Sequence, residues 1–225
     1  MYQLNKLLRG CERICFKNVV FQKITKESVH SQCRYLTLKN CSNLQNLDLT
    51  RFDLCEQANL VRCEMLKETL KIFGENLKVL QVRRTFSVDT IICKFLAYHS
   101  PFKNLKVLDL SYNQIELSGF ILLIADNSVF AENLQKLSVE RNIIVTSLPE
   151  IVKKLNLLSL KYLDLNLNQI EWEEDWLRRQ GFHIVRKYRE RKFLGEKEVK
   201  VKSVDIAIDD DLYVRVMNTD EIYKY

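Results

Sequence analysis

The sequence predicts an α/β solenoid, in which short parallel strands alternate with helices along a coiled chain. Three observations predict it. Four segments align without gaps, and each carries alternating apolar residues of the kind a half-buried strand needs. Their leading leucines, Leu77, Leu105, Leu134 and Leu160, are spaced by 28, 29 and 26 residues. The stretches between them place apolar residues at helical spacing.

The aligned segments are Asn76–Thr85, Asn104–Asn113, Asn133–Asn142 and Ser159–Asn168, sharing the pattern L-x-x-L-x-[L/V]-x-x-N. Asparagine closes three of them, at Asn113, Asn142 and Asn168, and an isoleucine follows two residues later at Ile115, Ile144 and Ile170. One strand per turn of the coil gives a parallel sheet. A parallel connection needs a dozen or more residues, which these spacings supply. The asparagine turns the chain off the strand, and its amide can meet backbone groups otherwise left unsatisfied.

These motifs resemble the leucine-rich-repeat family, in the long-repeat subclass typified by ribonuclease inhibitor. The resemblance covers residues 76–170. It implies a horseshoe with a parallel sheet on the concave face and helices on the convex face. It also implies that ligands meet the variable residues of the concave face.

Three segments follow from the pattern: an N-terminal cap with irregular repeats (1–75), regular repeats (76–170), and a C-terminal cap with a β-hairpin (171–225). In the first, two registers compete. One starts coils at Cys11, Cys33 and Cys55, 22 residues apart. The other uses Leu44, Leu47 and Leu49. Glu56–Phe73 contains no proline or glycine and reads as a helix stopped by Gly74. That reading favours strands near 35–39 and 46–50, joined as a hairpin through Lys39–Asn43, with Ile14–Phe21 as a capping strand.

Further along, Val88, Ile91, Ile92, Phe95 and Leu96 share a helix face, with Ser87 as N-cap and Ser100-Pro101 as the stop. Leu117, Phe120, Ile121 and Ile124 mark a second helix. Ser147 caps a third, with Pro149 in its first turn and Ile151, Val152 and Leu155 inward. Glu171–Gln180 suits a capping helix with Trp172 and Trp176 inward and acidic residues in its first turn. Phe182–Val185 adds an edge strand. Val199–Ile208 and Leu212–Met217 alternate in period two and read as a β-hairpin.

No chemistry-bearing motif emerges. The three histidines, His30, His99 and His183, have no metal partner at i+4, and there is no phosphate loop and no nucleophile elbow. The cysteines lack the CxxC spacing of a zinc site, so they read as small core residues. Neither a metal nor a cofactor is expected, and the chain reads as a non-enzyme. A GTPase activator with the same repeat would need an exposed arginine finger.

Seven cysteines, an odd number, and no secretory signal at the N-terminus point to reduced thiols. The setting is then the cytoplasm, the nucleus, or a host cell into which the protein is delivered. No apolar run is long enough to span a membrane.

The expected partner-binding residues lie on the concave face: Arg51, Gln81, Arg83, Arg84, Asp109, Tyr112, Ser138, Glu140, Arg141, Asp164 and Asn166. Arg51, Arg84, Tyr112 and Arg141 form a row of guanidinium and aromatic groups, a composition enriched in interface hot spots. The expected function is protein–protein interaction, as an adaptor, a substrate-recognition subunit or a microbial effector. The competing reading is nucleic-acid or anionic-surface binding through 178–202, which holds ten Lys/Arg against three Glu. Its basic patch is Arg178, Arg179, Arg186, Lys187, Arg189, Arg191 and Lys192.

Overall fold

The computed structural model describes residues 9–21, 29–47, 50–64, 67–85, 88–194, 197–207 and 212–217, with the backbone alone at 29–30, 50, 68, 183–194, 197–205 and 217. The strands of the first half are β1 (Arg13–Lys17), β2 (Val29–His30), β3 (Tyr35–Lys39), β4 (Thr50–Arg51), β5 (Gln57–Val61) and β6 (Val79–Arg83). Then come β7 (Val107–Asp109), β8 (Lys136–Ser138), β9 (Val145–Ser147), β10 (Tyr162–Asp164) and β11 (Gln169–Glu171). The chain ends in β12 (His183–Leu194), β13 (Lys197–Ala207) and β14 (Tyr213–Met217). The helices are α1 (Lys67–Leu70), α2 (Thr90–Tyr98), α3 (Leu117–Ile124), α4 (Leu148–Lys154) and α5 (Glu174–Arg179).

One sheet runs in the order β1-β3-β5-β6-β7-β8-β10-β14-β13-β12. It is parallel from β1 to β14, and the last two strands are antiparallel. The register stacks equivalent positions. Ile14, Leu36, Ala58, Leu80, Leu108, Leu137, Leu163 and Val214 form a single row, buried throughout. Each leucine in such a row is worth roughly 1.5–3 kcal/mol of apolar burial. The helices close the other side of this core. Gly119 lets α3 approach α2 closely, since a Cβ there would lie 3.2 Å from Thr90 Cα.

Side chains tie one coil to the next. Asn113 Nδ2 donates to the Val82 and Leu110 carbonyls at 2.8 Å each, and Asn113 Oδ1 accepts from Thr85 N at 3.0 Å. Asn142 repeats this with Leu110, Val139 and Ile115, and Asn168 with Val139, Leu165 and Ile144. In the first coils cysteine takes the donor part. Cys41 Sγ lies 3.6 Å from the Phe16 carbonyl and Cys63 Sγ 3.5 Å from the Leu38 carbonyl. A second ladder runs beside the leading leucines: Asn76, Asn104 and Asn133 donate to Asp53, Glu75 and Lys103 carbonyls at 2.7, 3.0 and 3.0 Å.

The N-terminal third departs from its expected layout. The coils start at Cys11, Cys33 and Cys55, in the 22-residue register. Glu56–Phe73 is not one helix: Gln57–Val61 is a sheet strand, with Ala58 and Leu60 buried in period two, and among the described residues of the stretch only Lys67–Leu70 is helical. Leu44 and Leu47 are buried as a single 3₁₀ turn, because a Leu-x-x-Leu spacing suits one helical turn as well as a strand. Residues 48–49 lie outside the described residues, and among the described ones β3 pairs in parallel with β1 and β5 and forms no hairpin with 46–50. The short strand β4 instead pairs in parallel with β2, outside the main sheet. Coils this short have no room for a long helix.

Other expectations shift at the edges. Ser87 lies outside the described residues, and the N-cap of α2 is Asp89, whose carboxylate accepts from Ile91 N and Ile92 N at 2.9 and 3.0 Å. The capping helix is shorter than 171–180, since Gln169–Glu171 forms a strand beside β9. Trp172 and Trp176 pack on the core, and Gly181 ends α5 with a φ of 77°. The C-terminal hairpin forms, but its strand β14 enters the parallel sheet beside β10 and supplies the strand position of one further coil.

The ladder yields a stability prediction. Asn142→Ala leaves buried backbone groups without partners and should cost about 1–3 kcal/mol, read from urea unfolding. A loss below a few tenths would show that the ladder does not carry the fold.

Candidate functional site

The side of the sheet away from the helices is open and lined by polar side chains. Counting the leading apolar residue of each coil as position 1, positions 3, 5 and 7 project from it. Position 8 follows at the end of the strand, and in each coil it is left-handed: Asn18, Asn40, Arg62, Arg84, Tyr112, Arg141 and Leu167 have φ between 50° and 62°. This conformation turns the chain off the strand so that position 9 can reach back into the ladder. It costs an L-residue other than glycine or asparagine roughly 1–2 kcal/mol.

A hydrogen-bonded chain fixes the centre of the face. Arg83 pairs with Asp109, its Nε 2.7 Å from Oδ2. The other Asp109 oxygen accepts from Ser111 N at 3.0 Å and Ser111 Oγ at 2.6 Å. Ser111 and Ser138 hydroxyls lie 2.9 Å apart. Asp164 Oδ1 accepts from Asn166 N at 3.1 Å. Asn59 Oδ1 and Asn166 Oδ1 are buried with no hydrogen-bond partner among the described residues. Burial pushes the Asp164 carboxyl above its usual range, against the opposing pull of its own hydrogen bond and of Arg215 and Lys136. Lys136 and Arg215 also sit over the Tyr162 ring, at 4.9 and 5.6 Å.

The expected site residues divide accordingly. Asp109, Ser138 and Asn166 are buried in the floor, while Gln81, Arg83, Glu140 and Asp164 are half-buried beside them. Arg83, Arg84, Asp109, Tyr112, Ser138, Glu140 and Asp164 line a depression of about 400 Å³. Arg84, Tyr112 and Arg141 border a second hollow of about 470 Å³, closed by Asn113, Gln114, Asn142 and Ile143. Arg84 and Arg141 flank Tyr112, with guanidinium carbons 4.7 and 5.3 Å from the ring centroid. Arg51 does not belong to this row. It lies in β4, away from the main sheet, and pairs with Asp53 at 3.4 Å. The residue in its place is Arg62, which the 22-residue register identifies. Lys136 and Arg215 are further members that the sequence pattern passed over, Arg215 because it lies in β14.

Arg178 and Arg179 are exposed on α5, and Arg178 pairs with Glu174 at 2.9 Å. Arg186, Lys187, Arg189, Arg191 and Lys192 lie in β12, where the backbone alone is described. No group of three metal-ligating side chains occurs among the described residues. Burial pushes the thiols of Cys33 and Cys63 up to about 11, and those of Cys55 and Cys93 up to about 12. Such thiols are poor nucleophiles at neutral pH. No helix among the described residues is long and apolar enough to cross a membrane.

A continuous parallel sheet with stacked positions, side-chain ladders and one open polar face defines a repeat scaffold. Residues 104–126, which hold β7, Asn113 and α3, match the family model of the Leucine Rich Repeat. Repeats of this kind generally mediate protein–protein interaction. No curated relative matches the chain.

The raised Asp164 carboxyl has a consequence for stability. The folded state holds this proton more tightly than the unfolded chain does. The contribution of Asp164 is therefore fullest below the ordinary aspartate range and is lost as pH rises through the folded value. Asp164→Asn should raise the thermal midpoint at pH 7, with a gain that shrinks as pH falls toward 4. A gain that grows on acidification would contradict the assignment.

Proposed function

We propose that this chain is a non-enzymatic interaction module that holds a protein partner on the open sheet face, with the coils arranged as a horseshoe and that face concave. The partner presents carboxylates to Arg62, Arg84 and Arg141. One observation carries the reading. None of these three arginines meets a carboxylate among the described residues, whereas Arg34, Arg51, Lys78, Arg83, Lys103 and Arg178 all do.

Their backbone setting adds weight. Asn18 and Asn40 fill the same left-handed position at lower conformational cost. Backbone preference therefore does not select arginine there. Stacking on Tyr112 holds two of the guanidinium groups while leaving N–H donors for a planar acceptor. The depression beside them, ordered in advance by the Arg83–Asp109–Ser111–Ser138 chain, reduces what binding must immobilise. The buried, weakly acidic thiols support the non-enzymatic part of the reading. A reducing compartment, with the cytoplasm first, suits seven free cysteines.

Two double variants test this. Partners recovered with the wild-type chain are identified by mass spectrometry, purified and titrated. Arg84→Glu with Arg141→Glu should abolish binding and leave the thermal transition in place. Arg84→Gly with Arg141→Gly relieves left-handed strain, so it should raise stability, by about 1–2 kcal/mol in all, while weakening binding. A partner that binds both variants as well as wild type does not use this row.

A further inference from the structure

We infer a second interaction surface, separate from the open face: a projecting two-stranded arm that binds the phosphate backbone of double-stranded DNA through Arg189, Arg191, Lys200 and Lys202. The topology defines the arm. Strand β14 pairs with β13 only over Ser203–Ala207. Beyond that, Arg189–Leu194 and Lys197–Lys202 continue as an antiparallel pair.

The register gathers charge of one sign. Arg189 stands opposite Lys202, and Arg191 opposite Lys200. Period-two alternation puts all four on one face of the arm, and Lys187, opposite Val204, continues that face toward the base. Like charges directly opposite one another destabilise a strand pair. Two such pairs in succession are unfavourable for the isolated arm, and a polyanion lying along this face removes the repulsion. Glu190, which lies between the two pairs, falls on the opposite face, and the nearest acidic residue on this face is Glu198, toward the tip.

The dimensions favour duplex DNA over a membrane. Six residues at about 3.4 Å each make an arm roughly 20 Å long. A two-stranded ribbon fits the major groove, which is about 12 Å wide. The four cations lie in the body of the arm on both strands, where they can meet phosphates along a groove. Contacts of this kind carry no sequence preference.

The full chain is titrated by fluorescence anisotropy with a mixed-sequence duplex of about 20 base pairs between 50 and 200 mM salt. Release of counterions from about four phosphates should lower affinity roughly 150-fold over that range. Arg189→Glu with Arg191→Glu converts both like-charge pairs into opposite-charge pairs. It should keep or raise the thermal midpoint while lowering duplex affinity at least 100-fold. Lys94→Glu with Lys153→Glu, an equal change of net charge on the exposed helix side, should retain most of the binding. Arg84→Glu with Arg141→Glu should leave duplex binding unchanged, which separates this surface from the open face. The inference is overturned if duplex binding is absent or insensitive to salt, or if the arm variant behaves like the helix-side control. It is overturned too if the open-face variant loses the duplex, or if the chain binds phosphatidylserine vesicles and not the duplex.

Discussion

Each coil of this protein ends its strand with a turn that aims backbone groups into the interior, and something must satisfy them. An unmet buried carbonyl or amide costs about 1–3 kcal/mol, so the requirement recurs at every coil. In five of the coils position 9 meets it. In the later coils Asn113, Asn142 and Asn168 each donate to carbonyls in two successive coils and accept one amide. In the early coils Cys41 and Cys63 supply a weaker S–H donor to the equivalent carbonyls. The left-handed residue at position 8 follows from the same requirement, because it swings position 9 back under the strand.

That constraint also shapes the open face. Position 8 must tolerate a positive φ, which excludes β-branched residues, yet its side chain lies at the rim and is otherwise free to vary. The protein fills three of these positions with arginine and one with tyrosine. The floor beside them is built from short polar groups at positions 5 and 7, tied to each other and to Arg83. A fixed polar floor and a cationic rim thus stand on a scaffold whose interior is decided by apolar residues and by the asparagine and cysteine donors of position 9.

The two ends of the array are handled differently. At the N-terminal side the coils shrink to 22 residues, and the α-helix described between Cys11 and Leu77 is the four-residue α1. Exposed charges alternate there along position 2, where Glu12, Arg34, Glu56 and Lys78 are linked by ion pairs. Lys78 first and Arg34 second hold the Glu56 carboxyl below its usual range. At the C-terminal side a hairpin strand enters the sheet and buries Leu212, Val214 and Val216 against the last coil. A parallel sheet end that would otherwise stand open is closed by residues outside the repeat pattern.

Residues 76–170 were legible from the sequence because period and chemistry agree there. The leucine spacing, the asparagines and the helical stretches each point to the same coil, and the open-face residues from Gln81 to Asn166 follow from that register. Residues 11–63 were less so. Leu44 and Leu47 imitate a strand motif better than Ala58 and Leu60 do, and local pattern alone does not rank two registers that differ in what they pair with. Pairing ranked them: the Cys33 and Cys55 coils stack on Leu77 in register with every later coil, which moved the rim arginine from Arg51 to Arg62. The alternation at 199–217 announced a hairpin. Alternation fixes which residues share a face, not which neighbour a strand joins, so the insertion of β14 beside β10, and with it the place of Arg215 next to Asp164, was decided only by tertiary structure.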